Sequence, residues 1–175
     1  MIKTIIAFLL LPITANAFIG VSNTVFTQDY KDYNTPKVEN SLSLNLNYYK
    51  SISQNYLVGV STNRLTSQFL RAEGYLVSKS NQVAIKTKTK VISDSMGLFR
   101  KFDKYLIGGS IINARKDSNL YLNNTKIGNN KESELLYGFS VGKILDDGVL
   151  TATYIFKNED FDLKRAINLS YAFKF

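Results

Sequence analysis

The sequence predicts an all-β chain of antiparallel strands joined in up-and-down order, on three observations. Apolar and polar residues alternate with period 2 in segments of about ten residues, separated by polar turn clusters. A strand, turn, strand pattern recurs about every 45 to 50 residues, in NYYKSISQNYLVGVS, LFRKFDKYLIGGS and VGKILDDGVLTAT. Short turns inside those segments alternate with longer polar stretches at Gln28 to Asn40, Arg64 to Lys90, Ala114 to Ser133 and Lys157 to Asp162. Short turns at one end and long connections at the other are the asymmetry of a transmembrane β-barrel whose short turns face the periplasm. Alternation alone describes half of a soluble sandwich equally well.

The first segment reads as an export leader. Lys3 supplies a charged start, Ile5 to Ile13 a short apolar run and Ala15-Asn16-Ala17 a small-x-small cleavage site. A spanning helix needs about 20 apolar residues, so residues 1–17 are expected to be cleaved and residues 18–175 to form one barrel domain beginning at Phe18. Loss of Lys3 leaves 21 basic against 14 acidic side chains, a formal charge of +7. The chain has no Cys, which excludes a lipidated N-terminal Cys and any disulfide, so stability must come from packing or from lipid.

Eight strands are predicted, at about 18–27, 41–50, 55–64, 91–101, 104–114, 134–144, 149–157 and 164–175. The first presents Ile19, Val21 and Val25 outward. In the second, Leu42, Leu44, Leu46 and Tyr48 alternate with Ser43, Asn45, Asn47 and Tyr49. The third presents Tyr56, Val58 and Val60, and the fourth Ile92, Met96 and Leu98; Asp94 shares that parity, where charge is tolerated only near an interface. Tyr105, Ile107 and Ile111, then Leu135, Tyr137, Phe139 and Val141, then Leu150, Ala152, Tyr154 and Phe156 supply the next three outward faces. Opposite them, Gly138, Ser140, Gly142, Thr151 and Thr153 suit the narrow, side-chain-filled interior of an eight-stranded barrel. Ten strands fit only if residues 64–93 are split into an extra hairpin.

In the last strand Ile167, Leu169, Tyr171, Phe173 and Phe175 occupy every second position, with Asn168, Ser170, Ala172 and Lys174 between them. With that alternation closing on a terminal Phe, the sequence resembles the bacterial outer-membrane β-barrel families. At this length it is most similar to the small eight-stranded OmpA/OmpX type, with the opacity and related surface antigens. The resemblance implies that these five residues are an assembly signal read by the barrel-assembly machinery. It also implies export through the periplasm, with its chaperones, to the outer membrane of a Gram-negative bacterium, and a monomer among lipid and lipopolysaccharide. Two features depart from the pattern. The charge is basic, and Trp is absent, which leaves any interfacial girdle to 11 Tyr and 11 Phe.

The absence of His and Cys excludes imidazole bases, thiolate nucleophiles and the usual zinc sites, so no enzyme, metal or cofactor is expected. Asp146-Asp147 precedes Gly148 between two strands, and Asp-Gly is a preferred tight-turn dipeptide, so the pair reads as a turn. Glu159, Asp160 and Asp162 read as a solvated loop in preference to a loose divalent-cation site. Asn123 to Asn130 reads as compositional bias. Lys86, Lys88 and Lys90 form the single one-sign constellation, on one strand face about 7 Å apart, with Arg64, Arg71 and Lys79 upstream.

Residues 64–90 are therefore expected to form an extended extracellular hairpin turning near Lys79-Ser80-Asn81. Its Lys86, Lys88, Lys90, Arg71 and Lys79 would attract the phosphates of lipopolysaccharide or another anionic surface polymer. A solubilising strand edge is the competing account, favoured by the lack of an interleaved aromatic to stack a base. The expected function is a non-enzymatic outer-membrane surface protein, structural or contact-making through basic loops. A small porin-like conduit is the alternative, and a soluble secreted β-sandwich the outsider. Deleting Phe175, or replacing Tyr171 and Phe173 with Asp, should leave the protein exported but unassembled; normal levels in the outer-membrane fraction would refute the signal role.

Overall fold

The computed structural model describes residues 17–29, 38–64, 74–80, 83–160 and 163–174. Within them the alternating segments form β1 (Ala17–Asp29), β2 (Val38–Ser51), β3 (Tyr56–Thr62), β4 (Gly74–Ser80), β5 (Val83–Phe102), β6 (Tyr105–Leu122), β7 (Thr125–Ile144), β8 (Gly148–Ile155) and β9 (Leu163–Lys174). Every pairing is antiparallel. The strands run β3-β2-β1-β9-β8-β7-β6-β5, and a ladder between β3 and β5 closes these eight into an up-and-down barrel. β4 is not a further barrel stave. It continues along β5 beyond the end of β3, pairing Gly74 to Ser80 with Val83 to Thr89, whereas β3 takes Asp94 to Arg100.

The predicted outward faces become a continuous apolar exterior. Ile19, Val21, Val25, Leu46, Tyr56, Met96, Leu98, Ile107, Ile111, Leu135, Tyr137, Phe139, Val141, Leu150, Tyr154, Phe156, Ile167, Leu169 and Phe173 are all exposed. On β7 the run Leu135 to Val141 spans about 20 Å at about 3.3 Å per residue. Asn23 interrupts the band on β1, opposite Leu44 and Leu169. Tyr48 has the predicted outward parity but is buried by its neighbours.

Inward residues are small, polar or aromatic, and they pair across the lumen. Asn47 donates to Ser170 at 2.8 Å, the Tyr49 hydroxyl donates to Ser170 at 2.9 Å and lies 3.0 Å from Thr151, and Asn168 donates to Ser22 and Thr24. Ser140 joins Ser110 and Thr153. An apolar layer of Phe18, Leu57, Phe99, Leu106, Val149 and Ala172 closes the short-turn end. A second, of Val91, Ile112, Ala114, Leu136, Ile155, Leu163 and Ala166, closes the other. Between them a cavity of about 40 Å³ is lined chiefly by Ser, Thr and Asn, room for a few waters at most.

The strand ends differ from expectation in one region. The stretch Ala114 to Ser133, read from sequence as a long connection, continues β6 and β7 to a two-residue turn at Asn123-Asn124, both at positive φ (47° and 68°). Two adjacent left-handed residues are the geometry that matches the twist of a tight hairpin, and Asn tolerates it. β5 likewise begins at Val83, eight residues before the predicted start at 91, because it pairs with β4 and with the far half of β6. The other short turns fall as predicted: Leu145 donates to the Gly148 carbonyl at 2.7 Å around Asp146-Asp147, and Asp103 adopts φ 55° between β5 and β6.

Gly59 shows why a strand needs a residue without a side chain at one inward position. It lies opposite Tyr49, and a Cβ there would sit 2.7 Å from the Tyr49 ring, which is itself edge-on to Phe99 at 5.9 Å. Gly59→Val should destabilise the barrel by about 1–3 kcal/mol, the usual cost of overpacking. Gly128→Val, where nothing lies within 4 Å of the added atom, should be close to neutral. Urea unfolding in detergent micelles, followed by loss of heat-modifiable migration, measures both.

Candidate functional site

β5, β6 and β7 outrun the apolar band. On β6 the outward residues change after Ile111 to Asn113, Arg115, Asp117 and Asn119, and on β7 Leu135 gives way to Ser133 and Lys131. The ten residues from Asn113 to Leu122 carry the sheet about 30 Å past the band at about 3.3 Å per residue. β4 adds a fourth strand to its edge.

Register sets the cations of this sheet in rows. Lys90 lies opposite Asp117, which lies opposite Lys131; Ile92, Arg115 and Ser133 make the row nearer the band. Farther out, Lys88 is level with Asn119 and Asn129, and Lys86 with Tyr121 and Lys126. On β4, Tyr75 and Val77 lie opposite Lys88 and Lys86, and Lys79 opposite Ala84. The pairing thus brings Lys86, Lys88 and Lys90 beside Arg115, Lys126 and Lys131, three cations that sequence reasoning missed because it took their segment for a loop. Asp117 is the acid in the first row, and the Asn129 amide holds it at 2.6 Å while also donating to Asn119. Arg71 and Phe175 lie outside the described residues. Ile167, Leu169, Tyr171 and Phe173 share one parity of β9 and pair with β1 and β8.

One ion pair lies within the sheet and a second at its junction with the barrel. Lys116, only 2% exposed on the opposite face, meets Glu132 at 2.5 Å directly across the β6–β7 ladder, and Asn130 donates to the same carboxylate at 2.6 Å. Asp94, the carboxylate on the outward parity, is buried at the top of the band. Arg64 Nε donates to its two oxygens at 2.9 and 2.7 Å, the guanidinium also reaches Oδ2 at 2.5 Å, and the Thr62 hydroxyl donates at 2.7 Å. Those hydrogen bonds hold the Arg64 guanidinium above its ordinary pKa. Asp94 thus lies at the end of the band, opposite the last residue of β3, and a partner 30 residues earlier in the sequence neutralises it there.

Other acids carry less chemistry. Asp146 faces Lys104 at 3.8 Å in its turn and Glu159 pairs with Lys157 at 2.6 Å. Among the described residues, no three His, Cys, Asp or Glu side chains are placed to hold a metal ion.

A closed ring of eight strands, apolar outside and packed inside, places the chain among solved structures. The fold is that of Ail. Ail, the attachment invasion locus protein of Yersinia pestis, matches with a TM-score of 0.68 at 15% sequence identity, over 92% of this chain and 99% of that one. The same protein in complex with the heparin analogue sucrose octasulfate matches at 0.67 and 15% identity, over 91% of this chain and 98% of that one. No protein-family model matches the chain, and no curated protein matches it in sequence. The likeness to Ail is one of architecture: the small eight-stranded outer-membrane barrel fold.

Removing one partner of the Arg64–Asp94 pair leaves a carboxylate buried at the edge of the apolar band. Arg64→Met should cost about 1–2 kcal/mol, discounted because the guanidinium is half in solvent. Asp94→Leu added to it should restore most of the loss. Unfolding of the two single variants and the double variant checks the coupling.

Proposed function

We propose that this chain is a non-enzymatic integral outer-membrane barrel, exported through the periplasm and inserted by the assembly machinery through its terminal strand. Its protruding sheet stands on the cell surface and contacts anionic polymers. The observation that carries the reading is the outward face beyond the apolar band, where Lys86, Lys88, Lys90, Arg115, Lys126 and Lys131 occupy adjacent register positions around Asp117. Cations there cost nothing in lipid insertion. Their summed field draws phosphates or sulfates from solution and from neighbouring lipopolysaccharide. The binding of sucrose octasulfate by Ail supports a polyanion as the ligand class for a face of this kind.

The lumen bears on the alternative of a conduit. Two apolar layers with a cavity of about 40 Å³ between them argue against a continuous path for solutes. The exposed apolar band argues in the same direction against a soluble sandwich, since soluble monomers rarely leave a contiguous apolar patch of this extent uncovered.

Changing Lys86, Lys88 and Lys90 together to Gln should leave barrel assembly intact and weaken binding to lipopolysaccharide and heparin. The attraction acts between exposed charges, so wild-type binding should fall as salt approaches physiological strength, where the screening length is about 8 Å. Identical binding curves for wild type and triple variant across a salt series would refute the contact role. Aggregation of the variant with no change in ligand binding would assign these lysines to edge protection.

A further inference from the structure

The opposite end of the barrel carries a second basic constellation, built differently from the first. Arg100 on β5 and Lys143 on β7 point outward at the edge of the apolar band, each over an aromatic ring. The Arg100 guanidinium carbon lies 5.0 Å from the centre of Phe102, and the Lys143 ammonium 5.8 Å from that of Tyr105. Phe102 is opposite Tyr105, and Tyr105 is opposite Lys143, so cation, ring, ring and cation follow one another across three strands. Tyr56 lies opposite Arg100 on the remaining side. Both rings of the central pair are exposed, Phe102 at 46% and Tyr105 at 58%.

Neither cation has a carboxylate partner among the described residues. Among the described residues, the acidic side chains at this end, Asp103, Asp146 and Asp147, sit in the turns beyond the strand ends, and Asp146 faces Lys104. An exposed cation at the rim of an apolar band, held down on a ring that itself belongs in the band, has one complementary group at that depth: the phosphate of a lipid headgroup. The two cations lie two strands and two residues apart in register, about 12 Å between their Cα positions, a gap that admits one headgroup. Arg supplies a planar fork for phosphate oxygens, Lys a point charge, and the two rings a platform for the glycerol and upper acyl chain.

We propose that Arg100, Phe102, Tyr105 and Lys143 form a binding site for a net-anionic phospholipid in the leaflet on the short-turn side of the membrane. The site rests on the reading of the chain as a membrane barrel. A zwitterionic lipid brings its own ammonium and gains less from two cations than a lipid whose phosphate charge is uncompensated. The protruding sheet recognises soluble or surface polyanions without burying apolar surface; here the acyl chains are part of the ligand.

The test uses the mature protein refolded into vesicles, with insertion followed by protease protection, then released into micelles holding equal amounts of phosphatidylglycerol and phosphatidylcholine. Native mass spectrometry counts the lipid retained. Wild type should keep phosphatidylglycerol over phosphatidylcholine by about fivefold or more, the scale of one basic side chain at a charged lipid surface. Arg100→Gln with Lys143→Gln should bring the ratio close to one, while Arg100→Lys with Lys143→Arg, which keeps both charges, should retain most of it. The Lys86, Lys88 and Lys90 triple Gln variant should match wild type. Equal retention of the two lipids by an inserted wild-type barrel, or an undiminished preference in the double Gln variant, would overturn the site alone. Failure to insert into vesicles of either lipid would overturn the membrane reading and the site together.

Discussion

Closure of the backbone ladder is the constraint on which the rest of this molecule depends. In hydrocarbon there is no water to satisfy a free amide, and each one costs several kcal/mol, so a sheet can carry an apolar exterior only where it has no edge. β9 returns to β1 along Phe18 to Gln28, and the seven-residue β3 supplies the last ladder by pairing with β5 between Tyr56 and Thr62. β3 is the shortest stave, and on the neighbouring β5 and β6 the outward residues turn polar where it ends, at Asp94 and Asn113. Asp94 sits opposite its last residue, and Arg64, two residues farther on, turns back to neutralise it.

Closing a ring of only eight strands leaves an interior too narrow for anything but side chains. The polar groups turned inward must then find one another, and they do so across long sequence separations: Asn47 with Ser170, Tyr49 with Thr151 and Ser170, Asn168 with Ser22. Gly59 makes room for the Tyr49 ring, and that ring brings its hydroxyl to the network while its edge packs on Phe99. The interior is thus a packed polar core between two apolar layers.

The two ends differ because, among the described residues, three adjacent strands continue farthest beyond the ring. β5, β6 and β7 keep their ladder into solvent, where outward positions are free to be cationic and where the inner face buries its own Lys116–Glu132 pair. At the short-turn end the strands stop within a residue or two of the band, so Arg100 and Lys143 remain over Phe102 and Tyr105. One population of basic side chains lies on strands beyond the apolar band; the other lies over aromatic rings at the edge of that band.

Period-2 alternation, the spacing of the short turns and the aromatic run from Ile167 to Phe173 determine, from the sequence alone, the strand class, the outward and inward faces and the eight staves. These are local properties, since a strand's two faces are set by residue parity before any partner is present. How far each strand continues was not legible, because polar strands in water and polar loops have similar composition. Asn123-Asn124 is the signal that locates the hairpin within Ala114 to Ser133, as a turn dipeptide between alternating segments. The grouping of Lys90 with Arg115 and Lys131, the neutralisation of Asp94 by Arg64 and the passage of a cation over a ring at the short-turn end were decided only by the tertiary structure. Except for Arg100 and Phe102, two residues apart on β5, these contacts join residues of different segments, and the pairing register that aligns them is not encoded by any single strand.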